Sequence, residues 1–123
     1  MLKKILIVED EELLANLLLK KLTVSGYEAF LANDGERGLA LMRKLKPDLV
    51  LLDILMPKMD GLQVLAEIQK NDDLIKIPVI VISNSGQPVE IEQIKKLGVK
   101  DWLIKTDFNL EEIIQKIKKQ IGD

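Results

Sequence analysis

The 123 residues predict a doubly wound α/β domain, with five parallel strands, each followed by a helix, in the spatial order 2-1-3-4-5. Three observations carry this expectation. Short aliphatic segments rich in β-branched residues recur five times, and between and after them apolar residues fall three and four apart, as on one face of a helix. Three of the five strand segments are apolar at both alternating positions, as expected of central parallel strands covered by helices on both faces. Right-handed crossovers then place the first strand inside the sheet and a switch point between strands 1 and 3, where ligands bind at the strands' C-terminal ends.

The elements follow in order. "KILIV" (4–8) is the first strand, apolar on both faces. The first helix carries Leu13, Leu14, Leu17, Leu18 and Leu22 and exits at Gly26. "YEAFLA" (27–32) is mixed in character and suits an edge. Asn33, three residues before Glu36, resembles the capping box of a second helix. "DLVLLD" (48–53) is a second buried strand, and Asp60 before Gln63 caps a helix that buries Leu62, Leu65, Ala66 and Ile68. "PVIVIS" (78–83) is the third buried strand, Pro88 suits the first position of the next helix, and Gly98 suits its exit. "DWLIK" (101–105) is mixed and takes the other edge. With no low-complexity segment and no long linker, residues 1–123 are expected to form one domain.

Composition removes several functions. Hydrophobic residues make up 47% and charged residues 31%, the balance of a globular chain, and no apolar run approaches the length of a spanning helix. A net charge of -2 gives no basic field for nucleic acid or anionic lipid, so neither is expected as a partner. There is no cysteine and no histidine, which excludes disulfides, the usual zinc sites and His-based catalysis. The opening "MLKKILIVED" has too brief an apolar run for a signal peptide, so a cytoplasmic chain is expected.

Asp53 poses the chemical question, because it directly follows Leu49, Val50, Leu51 and Leu52 and precedes Ile54, Leu55 and Met56. An unpaired carboxylate there would cost several kcal/mol, roughly, or titrate away. The predicted sheet brings Glu9 and Asp10, Asp53, Ser83 and Lys105 to one edge from four strands. Singly, Glu9 and Asp10 read as helix caps, Ser83 as a turn residue and Lys105 as a solvated charge. Together, three carboxylates make a site for a hard divalent cation, Mg²⁺ by preference. Lys105 adds a mobile positive charge for a phosphoryl oxygen, and Asp53 becomes a nucleophile toward phosphorus, with Ser83 hydrogen-bonding the product.

The elements "VED" (8–10), "LLDILMPKMDG" (51–61), "VIVISN" (79–84) and "WLIK" (102–105), with the five βα units, resemble the response-regulator receiver domains of two-component signalling over the whole chain. The resemblance implies a flavodoxin-like fold, with Asp53 as phosphoacceptor, Glu9, Asp10, Asp53 and the backbone carbonyl of Leu55 as ligands of Mg²⁺ (or Mn²⁺), and Lys105 pairing the phosphoryl group. It makes Ser83 and Trp102 the switch pair and places Leu55 and Asn84 at the phosphoryl approach, Asn84 either guarding the site or capping the loop "SNSGQP". It implies a sensor histidine kinase or histidine phosphotransfer protein as donor and a downstream protein as target. Output would run through the face of the fourth helix, fifth strand and fifth helix, with no enzymatic activity beyond self-phosphorylation and autodephosphorylation. Thr106 stands where the family has proline, and a cis bond before a non-proline residue costs about 2.5–4 kcal/mol, which favours a trans Lys105–Thr106 peptide. Trp102 stands where tyrosine or phenylalanine is commoner.

Other classes fit less well. A phosphatase of haloacid-dehalogenase type needs a second aspartate two residues after the nucleophile, where this chain has Leu55. A flavodoxin-type carrier needs a phosphate loop after the first strand, where "EDEELL" would repel the phosphate. A receiver-like binding module without phosphorylation would not need the full acid set.

Overall fold

The structure, a computed structural model, describes residues 2–56, 58–83, 88–99, 101–105 and 109–122, with the backbone alone at 83, 88 and 89. The elements alternate as β1 (Lys4–Val8), α1 (Glu12–Val24), β2 (Glu28–Ala32), α2 (Gly35–Leu45), β3 (Leu49–Asp53), α3 (Gly61–Gln69), β4 (Val79–Ser83), α4 (Pro88–Lys96), β5 (Asp101–Ile104) and α5 (Leu110–Ile121). The five strands form one parallel sheet in the order β2-β1-β3-β4-β5, as the apolar pattern predicted. All five residues of β3 are buried, whereas β2 is largely half-exposed at its edge.

Alternation along the strands divides the interior into two cores. Leu6, Val8, Val50, Leu52 and Val81 face the helices α2, α3 and α4, meeting Leu39, Met42, Val64, Leu65, Ile68 and Ile94. Ile5, Ile7, Leu49, Leu51, Ile80, Ile82 and Leu103 face α1 and α5, meeting Leu18, Leu22, Ile113, Ile114 and Ile117. Helices on both faces also leave the strands' C-terminal edge free to carry polar groups.

Helix ends follow the sequence signals with one correction. Asp60 and Gln63 form the expected capping box at α3, and Gly26 and Gly98 take the left-handed conformation (φ 96° and 87°) after α1 and α4. Asn33 does not cap α2; the cap is Asp34, whose side chain accepts the Arg37 N–H at 2.9 Å. Asp34 is buried and paired with Lys58 at 3.6 Å, so tertiary packing selects it over its exposed neighbour. The α1 leucines also divide: Leu18 and Leu22 are buried, whereas Leu13 and Leu17 project outward, 71% and 45% exposed. A core stripe covers only part of a helix's circumference, and five leucines exceed it.

Residues near the first and last described positions meet. Lys3 Nζ donates to the Ile121 carbonyl, and the Tyr27 hydroxyl lies 3.4 Å from the Gly122 carbonyl. Among the described residues no helix is long and apolar enough to cross a membrane.

Candidate functional site

Three strand ends converge at the C-terminal edge of the sheet. Glu9 follows β1, held by its N–H to the Ala32 carbonyl at 3.0 Å. Asp53 closes β3 and is wholly buried, and Lys105 follows β5 and reaches across the end of β4 to both. The turn after β3 is clamped, with Ile54 N–H on the Ile82 carbonyl (3.2 Å) and Gly61 N–H on the Ile54 carbonyl (2.8 Å). A Cβ at Gly61 would stand 2.4 Å from the Asp53 carbonyl oxygen, so only glycine lets α3 start this close to the strand end.

Lys105 Nζ lies 3.2 Å from Asp53 Oδ2 and 3.2 Å from Glu9 Oε1, and also 3.3 Å from Glu11 Oε2. Its side chain is 13% exposed, so the ammonium is held within a carboxylate cage, where the sequence suggested a mobile charge. Glu11 was not legible as a site residue. It stands in an acidic run at the start of α1, and only the fold shows which acid of that run faces Lys105. The helix-cap reading of Glu9 is partly realised as well, since Glu9 Oε2 accepts the Glu11 N–H at 3.0 Å.

One carboxylate oxygen from each of Glu9, Asp10 and Asp53 lies within 4.8 Å of the others, with Asp10 exposed and its two neighbours buried. Glu9 Oε1 is buried and, among the described residues, accepts no aligned hydrogen bond, although the Lys105 ammonium lies 3.2 Å away. A buried, under-satisfied carboxylate oxygen beside two further acids is the donor set a hard cation takes, so the residues fit a divalent ion bound by oxygen. The Leu55 N–H donates to Asp53 Oδ1 at 3.4 Å, which wraps the Leu55 backbone against the acid while its side chain projects outward.

Electrostatics record the crowding. Burial, then the neighbouring Asp53 carboxyl, push Glu9 up to about 7, against the Glu11 N–H and Lys105, which favour the charged form. Burial likewise raises Asp53, opposed by its hydrogen bond with Glu9 and by Lys105. Burial alone would lower Lys105, but the charges of Asp53 and Glu9 outweigh it and leave the ammonium harder to deprotonate.

Trp102 pairs with Val81 across β4 and β5, half-buried against the α2-α3-α4 core, with Lys95 Nζ 5.1 Å from its ring centroid. Asp101 and Lys116 form an ion pair at 2.7 Å between β5 and α5. Ser83 ends β4, so its backbone stands at the predicted edge, but its side chain lies outside the described residues. Asn84 and the Lys105–Thr106 peptide lie outside them too.

The chain resembles known proteins over nearly its whole length. The family model described as "Response regulator receiver domain" matches residues 5–118. The polar-differentiation response regulator DivK of Brucella anthropi is 34% identical over 121 residues, 98% of each chain. The probable transcriptional regulator ycf27 of Porphyra purpurea is 35% identical over 116 residues, 94% of this chain and 46% of that protein, so the chain spans about half the length of such relatives. Among solved structures, chemotaxis protein CheY4 of Vibrio cholerae superposes with a TM-score of 0.91 at 25% identity, covering 98% of this chain and 99% of that one. The Mn²⁺-bound form of response regulator Rcp1 superposes with a TM-score of 0.81 at 33% identity, covering 95% and 92%.

Proposed function

Since this chain belongs to the response regulator receiver domains, we propose that it takes a phosphoryl group from a partner's phosphohistidine onto Asp53, loses it later to water, and signals by binding another protein. The observation that carries this reading is the pairing of a wholly buried carboxylate, Asp53, with the Lys105 ammonium at 3.2 Å, beside two further acids at a strand edge. Glu9, Asp10, Asp53 and the Leu55 carbonyl would hold Mg²⁺, with Mn²⁺ as a substitute. When bound, the cation supplies positive charge to the phosphoryl oxygens and offsets the repulsion among the carboxylates.

In the forward step an Asp53 carboxylate oxygen bonds to phosphorus as the N–P bond breaks, and the imidazole leaves with that electron pair and takes up a proton. The product is an acyl phosphate; hydrolysis returns Asp53 and inorganic phosphate. Lys105 remains protonated and accepts the charge of a phosphoryl oxygen. Leu55, whose side chain stands 60% exposed beside Asp53, borders the approach. The donor is a sensor histidine kinase or a histidine phosphotransfer protein, since this chain has no histidine of its own. Ser83 and Trp102 relay the state of Asp53 to the α4-β5-α5 face, which a downstream protein reads. The chain works in the cytoplasm, and its only chemistry is self-phosphorylation and autodephosphorylation.

Mass spectrometry after incubation with Mg²⁺ and acetyl phosphate tests the central step. The parent gains one phosphoryl group and Asp53→Asn gains none. Equal labelling of the two, or none of the parent, overturns the assignment.

A further inference from the structure

Two described residues other than glycine hold a positive φ, Lys46 at 46° and Lys58 at 66°. Lys46 is explained by its place, since it closes α2 and its N–H donates to the Met42 carbonyl. Lys58 lies between β3 and α3 and ends no helix, and glycine or asparagine would take its conformation more easily. What lysine adds there is an ammonium, 3.6 Å from Asp34 Oδ2. The buried Asp34 carboxylate thereby serves two elements: Oδ1 accepts the Arg37 N–H at the start of α2, and Oδ2 meets the segment between β3 and α3.

That segment has little else to fix it. Its ends are held by the Leu55 N–H on Asp53 Oδ1 and the Gly61 N–H on the Ile54 carbonyl. Between them, among the described residues, the N–H groups of Met56, Lys58 and Met59 donate no hydrogen bond. The Met56 and Met59 side chains pack against the core under α2, α3 and α4, a contact without direction. The main chain nevertheless lies hard against α2, where a Cβ at Gly35 would stand 2.1 Å from the Met59 carbonyl oxygen. Lys58 and Asp34 supply the one ion pair, among the described residues, that sets where the segment rests on α2.

We propose that Lys58 is a positioning residue for the divalent cation: by tying the segment after β3 to Asp34, it keeps the Leu55 backbone against Asp53 before the metal arrives. This rests on the reading of Glu9, Asp10, Asp53 and the Leu55 carbonyl as the cation's ligands. Position and charge then act with opposite sign. Loss of Lys58 loosens the segment and weakens binding, whereas loss of a positive charge near three acids would by itself strengthen the attraction for a cation.

Mg²⁺ titration of the full chain, followed through the backbone amide resonances of Asp10, Asp53 and Leu55, tests this. Lys58→Met reaches half-saturation at a roughly two- to five-fold higher Mg²⁺ concentration than the parent, the worth of one exposed ion pair. Lys58→Arg restores the parent's value. Lys58→Gly, which relieves the backbone but removes the ammonium, binds as weakly as Lys58→Met. Lys46→Met is the matched control, because Lys46 also combines a positive φ with a 3.6 Å ion pair, to Asp73, at the other end of α2. It leaves the titration at the parent's value. Unchanged or tighter binding in Lys58→Met overturns the inference, as do equal weakening in Lys46→Met, parental affinity in Lys58→Gly, and no recovery in Lys58→Arg. If the parent itself shows no saturable shift at Asp10 and Asp53, the reading of the acids as a cation site fails, and the role of Lys58 falls with it.

Discussion

Asp53 and Glu9 share one cation between two buried carboxylates, and the imbalance has a pH signature. Both titrate above their ordinary range, Glu9 from 4.5 to about 7. A carboxyl raised by folding binds its proton more tightly in the native state, so its contribution to stability is complete below the unfolded value and disappears as pH rises through the folded one. In EDTA the melting temperature is therefore expected to fall between about pH 4.5 and 7, and saturating Mg²⁺ should flatten that slope by holding the acids ionised. Asp53→Asn removes one of the two charges, leaves Lys105 with Glu9 and Glu11, and should raise metal-free stability at pH 8 by ~1 kcal/mol. Calorimetry across pH, with and without metal, checks both; a metal-free stability that climbs from pH 4.5 to 7 would show that the acids are not under strain. At this scale the sequence was legible for residue type and strand end, since an acid closing an aliphatic strand is conspicuous. It was silent on Glu11, because "EDEE" offers four acids in succession and only the backbone's turn into α1 decides which of them meets Lys105.

At the scale of elements, the junction of β3 and α3 positions the acceptor. Gly61 opens α3 against the Asp53 carbonyl, so Gly61→Ala forces a methyl into a 2.4 Å gap lined by backbone, which cannot rotate away. The variant should lose about 1–3 kcal/mol in urea denaturation and also bind Mg²⁺ less tightly, because the strand end must move to admit the methyl. Stability within error of the parent would show that the turn has slack. The capping box at Asp60 was readable because both of its members are local. The α2 cap was not, because Asn33 and Asp34 are both good capping residues and the choice falls to a lysine more than twenty positions away, Lys58. The outward leucines of α1 were hidden for a related reason, since a helix with apolar residues on more than one face has no single stripe to read.

Across the whole molecule, the strand order was legible because burial on both faces leaves a signature in the sequence: β1, β3 and β4 carry aliphatic residues at both alternating positions, and only two mixed strands remain to take the edges. Residues that touch through this topology lie far apart in the chain, as Glu9 and Lys105 do across 96 positions, so the site exists only once the sheet has closed. The meeting of Lys3 with Ile121 bears on how the sheet must be assembled. A fold whose residues 3 and 121 touch is nearly a ring, and a ring can be cut anywhere its surface tolerates a break. Joining the termini by a short glycine-serine bridge and reopening the chain at Gly26, where even an added Cβ would meet only open space, gives a permuted protein that begins with β2 and ends with α1. That permutant should fold and still gain one phosphoryl group at Asp53 from acetyl phosphate, although Glu9 and Glu11 now follow Lys105 in the chain. A folded permutant that gains none would mean that the linear order of synthesis, and not only the final contacts, shapes the acid cluster.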